Sequence, residues 1–493
     1  MKYTLLNEEY QLPFVERLLR IRNITSEIET FLQPSFGNTR RDPFLLNDME
    51  KAVQHIIQAM KNHDKIMIFG DYDVDGITSS YCLYKFFRYF LKYPNVSIRY
   101  PSRKEDGYGL KIKHLEEMKK QGVHLVITVD NGITSIEEAF YAKTIGIDLI
   151  ITDHHHPLND LPPAIAVVNP CCSPKYPFKG LAGVGVAFKL IMAMLTKSTI
   201  DTKKKNQIFN FFLPIVAIGT VADVVPLLDE NRGIVKKGLE LINHFPETLP
   251  PSLKGFLSYL NIKNPIDTYH IGFMIGPRIN AGGRMQSPYD SLNILLHEGE
   301  EQLAFLEKID VINTDRKKIQ EQGVKVAEKM INLESNLLFA RSEEFHEGVI
   351  GIIAGRLTEK YHKPSMIFKV EPEKGLASAS LRGPEYFNVI DMILAHEHFL
   401  ERYGGHKGAG GLTVKIEKLE LLCQKMQAYC SDKIQDTDLE KIMLVDTKLF
   451  PHEWKGEDFG LIEQFAPFGE GNEEPHFLFE ELEVCRIEKV GKN

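Results

Sequence analysis

The sequence predicts an α/β protein: a mainly parallel sheet, then a smaller mixed α/β unit, then a short β segment. Three observations carry this. Short apolar runs alternate with helical stretches over residues 65–168, the pattern of βαβ units. Residues 298–332 are polar, charged and free of proline, which reads as one long connecting helix. After residue 439 the pattern changes to short strands.

Taken in order, residues 1–50 read as a polar, helical lead-in. Lys65–Phe69 is an apolar strand ending at Gly70, with helical character over 77–91. Val96–Tyr100 reads as a strand and 111–121 as a helix. His124–Val129 is a strand, 135–144 a helix, and Asp148–Thr152 and Ile165–Val168 are strands. Helices come next over 187–195 and 209–222. The implied division is 1–50, 51–297, 298–333, 334–434 and 435–493.

Composition narrows the class. The chain has 493 residues, 43% apolar and 26% charged, a globular balance that suggests about three domains. Its net charge of −8 shows no global nucleic-acid footprint, though a local basic patch is compatible with it. Six cysteines without a Cys-x-x-Cys pair argue against zinc knuckles and thioredoxin-like sites, and fit reduced thiols in a cytoplasm. The opening MKYTLLNEEY lacks the features of a signal peptide. The most apolar stretch, 208–228, is interrupted by Asn210, Pro214 and Asp223 and reads as a buried helix rather than a membrane span.

The chemistry lies just past the strands. After Phe69 comes Gly70-Asp71-Tyr72-Asp73-Val74-Asp75-Gly76. After Val129 come Asp130, Asn131 and Gly132, and after Thr152 come Asp153, His154, His155 and His156. Loops at the carboxyl ends of parallel strands meet in one crevice, so three strand ends deliver carboxylates and imidazoles to one place. Asp223 is a lone charge in an apolar helical stretch and needs a partner or a metal. Converging carboxylates repel unless a cation neutralises them. Mixed oxygen and imidazole donors suit Mn²⁺, with Mg²⁺ also fitting, and the donor number suffices for two ions acting on a phosphoryl centre. The Asp-x-Asp-x-Asp-Gly run also begins like a calcium loop, but position 82 is Cys where that loop requires Glu.

These four segments, Asp71–Gly76, Val129-Asp130-Asn131, Asp153-His154-His155 and Ala222-Asp223, resemble the ordered motifs of the DHH phosphoesterases. The likeness is greatest to the family's bacterial exonucleases specific for single-stranded DNA. It implies a DHH catalytic domain with two divalent ions, Mn²⁺ first and Mg²⁺ second. The implied metal ligands are Asp73, Asp75, Asp130, His154 and Asp223, with Asp71, Asp153 and His155 as catalytic or supporting groups. His156 is given no role.

Further stretches carry the same resemblance. Gly404–Gly411 packs five glycines around His406 and Lys407, a backbone able to approach a phosphate closely. It resembles the signature of the DHH-associated domain, and Ser380 and Arg382 match that domain's Ser-x-Arg element. The implied substrate-binding residues are Arg103, Tyr108, Arg278, Asn280, Arg284, Ser380, Arg382, Gly405, His406 and Lys407. Arg103 offers a fork for a phosphate and Tyr108 a stacking face for a base. For the arginines, surface salt bridges are the competing reading. Pro467–Pro475 resembles a loop of an OB-like domain of which the chain carries the first part.

The resemblance implies a cytoplasmic, metal-dependent 5′→3′ exonuclease on single-stranded DNA, serving DNA repair and recombination. It would be a monomer without membrane contact, with a helicase and a single-strand-binding protein as partners. The alternatives are a phosphodiesterase of the same family acting on oligonucleotides or cyclic dinucleotides, and a catalytically inactive replication scaffold.

Overall fold

The computed structural model describes residues 2–102, 107–157, 160–263, 265–450, 453, 456–483 and 485–488. The strands are β1 (Lys2–Asn7), β2 (Lys65–Gly70), β3 (Val96–Arg99), β4 (Val123–Val129), β5 (Asp148–Thr152), β6 (Ala166–Val168), β7 (Leu338–Ser342), β8 (Ser365–Glu371), β9 (Leu376–Arg382), β10 (Leu400–His406), β11 (Ala409–Lys415), β12 (Ile442–Lys448) and β13 (Phe477–Leu478).

The central sheet is parallel throughout, in the order β3-β2-β4-β5-β6. The chain leaves β2 to one side for β3, then returns past it to β4. The strand order therefore reverses between β2 and β4, which opens a crevice at their carboxyl ends. Both faces are apolar because helices cover both. Ile66, Ile68, Leu125, Ile127 and Ile150 join one core with the Val74–Lys85, Gly183–Thr196 and Thr202–Ala222 helices. Met67, Phe69, Val126 and Ile151 join a second core with the Ile112–Lys120 and Ile136–Thr144 helices.

The connecting helix spans Gly299–Glu328. Beyond it, a second sheet runs β10-β11-β9-β8-β7, with only β7 and β8 parallel. The glycine-rich stretch read as a phosphate-approaching loop is a hairpin: β10 and β11 pair through Gly405↔Gly410 and His406↔Ala409, leaving Lys407 and Gly408 at the turn.

Residues 1–50 carry the helices that the sequence suggests, over Phe14–Ile21, Ile28–Leu32 and Phe36–Thr39, but not at their start. They open with β1, which pairs in parallel with β12 in a sheet ordered β1-β12-β13. The partner of Lys2 is Ile442, so no local pattern could reveal the pairing. The segments 1–50 and 435–493 are joined, because Phe14, Leu18 and Phe31 pack with Leu449 and Phe465 in one core. Arg17 is fully buried, donating to Thr447 Oγ1 (3.0 Å) and the Lys448 carbonyl (2.8 Å) and pairing with Glu453. Among the described residues no helix is long and apolar enough to cross a membrane.

Candidate metal centre and substrate cleft

The first acidic motif caps a helix. Asp73 precedes the Val74–Lys85 helix and its carboxylate accepts from the Gly76 N–H at 3.0 Å, a standard N-cap bond. A Cβ on Gly76 would lie 2.3 Å from the Asp71 carbonyl oxygen, so only glycine permits this turn. Asp75 is buried. Its oxygens accept from Gly183 N (2.6 Å) and Val184 N (2.7 Å), the first amides of the Gly183–Thr196 helix. The positive end of that helix is a ready anion site, here filled by a side chain. The sequence reading begins this helix at 187 and misses the first turn, which supplies the two amides. Its signal is Gly180-Leu181-Ala182-Gly183-Val184-Gly185, a glycine-rich turn into an apolar helix. A Cβ at Gly183 would lie 2.7 Å from the Asp130 Cβ.

Asp130 comes directly after β4 with φ +61°, a left-handed conformation that non-glycine residues adopt rarely. Its carboxylate lies beside His154, with Oδ1 3.1 Å from His154 Nε2. The same nitrogen is 3.6 Å from Asp223 Oδ2 and 3.8 Å from Asp75 Oδ2. Asp153 also organises this loop. It accepts from the backbone of Ile133 (2.9 Å), His154 (2.7 Å) and His155 (3.1 Å), and meets His155 Nδ1 at 2.7 Å.

Three overlapping donor groups result: Asp71, Asp73 and Asp130; Asp75, His154 and Asp223; and Asp130, Asp153, His154 and His155. In each, the donor atoms lie within 4.8 Å of one another. Asp130 Oδ1, His154 Nε2 and Asp223 Oδ2 are buried without a hydrogen-bond partner. Orphaned buried polar atoms are costly, and a divalent cation among these three would satisfy all of them. The residues fit a metal.

The electrostatics agree. Burial, then the Asp73 charge, pushes the Asp75 carboxyl up to about 7. Burial and then Asp75 also hold Asp130 and Asp223 well above the usual carboxylate range. Burial, then the neighbouring His155, pushes His154 down to about 4, leaving a neutral imidazole able to donate to a metal. Burial would lower His155 too, but its hydrogen bond to Asp153 wins and raises it to about 9.

The expected substrate residues fall in different places. The Tyr108 hydroxyl donates to the Asp130 carbonyl (3.1 Å), while the residue as a whole is 43% exposed. Arg103 lies outside the described residues. On the Gly276–Met285 helix, Asn280 Oδ1 accepts from Val74 N at 3.2 Å, tying that helix to the first motif. Arg278 donates to Asp310 (2.6 Å) on the connecting helix and to the Met274 carbonyl, the salt-bridge reading. The Arg284 carbonyl faces Gly348, at whose Cβ position it would stand 2.0 Å away. In the second lobe Ser380 and Arg382 share a face of β9, with Arg382 Nη1 3.2 Å from Ser380 Oγ. Gly405 has φ +153°, and a Cβ there would meet the Ala409 carbonyl at 2.5 Å. His406 is held below its ordinary range by burial, then by the charges of Arg382 and His155. The Lys407 carbonyl accepts from Val389 N at 2.8 Å, and its side chain is exposed.

A second support was not legible in the sequence. Asp223 ends the Thr202–Ala222 helix, and the next residue, Val224, has φ +61°. The loop 467–475 grips the segment 226–228 just beyond it. Leu227 N donates to the Glu470 carbonyl at 2.8 Å, and the Gly471 Cβ position is 3.3 Å from Pro226. Asn472 is fully buried, donating to the carbonyls of Phe465 (2.8 Å) and Pro467 (2.9 Å) and accepting from Arg22 Nε (2.9 Å).

Residues 65–220 match the DHH family N-terminal domain, 334–432 the DHHA1 domain and 445–493 the RecJ OB domain. The single-stranded-DNA-specific exonuclease RecJ of Haemophilus influenzae is 32% identical over 499 residues, covering 98% of this chain and 85% of that protein. The chain belongs to the RecJ family. RecJ of Bacillus subtilis is 33% identical over 462 residues, but this chain spans only 56% of its length. The crystal structure of Thermus thermophilus RecJ in complex with Mn²⁺ has the same fold, with a TM-score of 0.81, 24% identity, 96% of this chain covered and 68% of that one. The acidic and histidine motifs thus stand in a RecJ-type DHH domain, with a DHHA1 lobe beyond it.

Proposed function

We propose that this chain is a metal-dependent exonuclease that hydrolyses single-stranded DNA from the 5′ end. The observation that carries the reading is the set of three buried, orphaned donor atoms, Asp130 Oδ1, His154 Nε2 and Asp223 Oδ2, at the carboxyl end of a parallel sheet. Asp73, Asp75, Asp130, His154 and Asp223 would hold two divalent ions, with Mn²⁺ preferred and Mg²⁺ accepted; overlapping donor groups that share Asp130 and His154 support more than one ion. Bound ions would supply an acidified water and offset the charge of the scissile phosphate.

The chain's own residues do the rest. The Gly183 and Val184 amides fix Asp75. Asp153 fixes His154 and His155 through their backbone amides. His155, cationic at neutral pH, adds positive charge for an incoming phosphate. Tyr108 offers its ring face to a base. Ser380, Arg382, Gly405, His406 and Lys407 would close over the strand from the second lobe, with Asn280 and Arg284 at the seam. The same reading includes DNA repair and recombination in the cytoplasm, action as a monomer, and cooperation with a helicase and a single-strand-binding protein.

The test is digestion of an end-labelled single strand and its duplex, with and without Mn²⁺. Mn²⁺-dependent loss of the 5′ label from the single strand alone is expected. Release from the 3′ end first would reverse the polarity. Hydrolysis confined to dinucleotides would favour the oligonucleotide phosphodiesterase reading.

A further inference from the structure

Three consecutive polar residues are buried in the first turn of the Asp229–His244 helix: Glu230, Asn231 and Arg232. Each serves a different part of the chain. Glu230 accepts from Arg41 N (2.6 Å), from Tyr176 and from Lys189, a residue of the Gly183–Thr196 helix. Arg232 donates to the carbonyls of Phe31 (2.7 Å), Gln464 (3.1 Å) and Ala466 (3.1 Å). Between them, Asn231 is fully buried, and its amide nitrogen donates to the carbonyls of Gly180 (2.5 Å) and Pro226 (2.9 Å).

Both carbonyls belong to segments that carry the metal centre. Gly180 stands three residues before Gly183, whose amide, with that of Val184, holds Asp75. Pro226 stands three residues after Asp223. The two segments also touch, with the Gly180 Cβ position 3.5 Å from Pro226 Cδ. Asp75 and Asp223 share one donor group with His154, yet they come from two different helices, Asp75 from the first turn of Val74–Lys85 and Asp223 from the end of Thr202–Ala222. A single amide thus grips the turn that fixes one carboxylate and the segment that leads away from the other.

The chemistry of the contact points one way. Two carbonyl oxygens facing one side of an amide require its N–H₂ there, which settles the orientation of the Asn231 side chain. Its oxygen, Oδ1, is then buried and among the described residues has no hydrogen-bond partner. An unpaired buried oxygen is unfavourable. An apolar residue of similar shape would remove that atom, but would take the donor from both carbonyls.

We propose that Asn231 is a positioning residue for the metal centre, holding Asp75 and Asp223 within one donor group through Gly180 and Pro226. The inference rests on the metal-dependent reading. Its effect passes through backbone on both sides, so it belongs to metal affinity rather than to strand binding.

The experiment titrates Mn²⁺ into the full chain and reads free Mn²⁺ by electron paramagnetic resonance. Asn231→Ala removes both donors. Asn231→Asp keeps the shape and turns oxygen towards the two carbonyls. Gln302→Ala is the control. Gln302 is likewise a buried amide that donates to two carbonyls, those of Ser252 and Ile294, among the Pro251–Leu260, Pro288–Leu296 and Gly299–Glu328 helices, which carry none of the metal donors. Asn231→Ala should weaken Mn²⁺ binding about tenfold, the lower end for outer partners of metal ligands, and Asn231→Asp at least as much. Hydrolysis should return as Mn²⁺ is raised, and binding of a single strand in chelator should match wild type. Gln302→Ala should lower the melting temperature and keep wild-type Mn²⁺ affinity. If Asn231→Asp fails to fold, Asn231→Ala decides alone. Wild-type Mn²⁺ affinity in folded Asn231→Ala, or an equal loss in Gln302→Ala, would overturn the positioning role. A wild type that binds no Mn²⁺ would instead remove the metal-dependent reading, and the role with it.

Discussion

The backbone N–H of Leu227 donates to the carbonyl oxygen of Glu470 at 2.8 Å, joining the segment after Asp223 to a loop more than two hundred residues away in sequence. The acidic residue most remote from the strand-end motifs is thus held from the C-terminal side. Asn472 anchors the gripping loop. Asn472→Ala would leave the Phe465 and Pro467 carbonyls and Arg22 Nε without that partner, and should cost about 1–3 kcal/mol of stability. Urea unfolding would measure it. Mn²⁺ binding should weaken as well, and a variant with full stability would show the loop to be a passive contact.

The carboxylates can be tested one at a time. Asp130→Ala or Asp73→Ala should lower hydrolysis by more than the roughly 10–100-fold typical of residues that only support a ligand. Circular dichroism should stay native. Chelator should silence the wild type and Mn²⁺ restore it. Substantial activity in either variant would remove that residue from the ion site.

Stability without metal should depend on pH in a set direction. Asp75, Asp130 and Asp223 bind protons more tightly in the fold than in the unfolded chain. Their contribution is therefore complete below about pH 4, the unfolded value, and declines as pH rises, through about 7 in the case of Asp75. Mn²⁺ should displace those protons, so its affinity should rise over the same range. Melting curves with and without Mn²⁺ would show both trends. Asp75→Asn should flatten the metal-free curve, and an unchanged curve would place the titration elsewhere.

In the proposed reading Arg382 sits at the strand's end. A terminal phosphate carries more charge than an internal diester and suits a guanidinium beside a hydroxyl. Arg382→Ala should cut the preference for a 5′-phosphorylated strand over its 5′-hydroxyl counterpart by about 1.5–3 kcal/mol of charge-assisted bonding. Competition kinetics between the two strands would read it. An unchanged preference would take Arg382 out of the pocket.

Legibility in the sequence depends on range. β2, β4 and β5 are apolar runs with acidic or histidine residues at their ends, so sheet and crevice could be read locally. Their order about β2 could not, yet it is that order which brings Asp75, Asp130 and His154 together. The amides of Gly183 and Val184 carry no side-chain signal, and their role shows only once the helix points at Asp75. Arg278 looked like a phosphate ligand until Asp310, a full helix away, took its guanidinium. β1 was invisible because a lone edge strand has no period that a helix lead-in lacks, and its partner is β12. The glycines of 404–411 looked like loop because glycine weakens strands in general. Here one of them allows the close hairpin backbone at Gly405.

The pairing of Lys2 with Ile442 also sets an order of events during synthesis. A ribosome adding about 5–20 residues per second would leave β1 without its neighbour for tens of seconds after it emerges. The parallel sheet could assemble in that interval, since its strands lie close together in the chain. The grip on the Asp223 segment would come last, once residues 467–475 have appeared. A nascent chain stalled before that point should hold a folded DHH sheet with a loosely bound fourth carboxylate, so nuclease competence would arrive only near the end of translation.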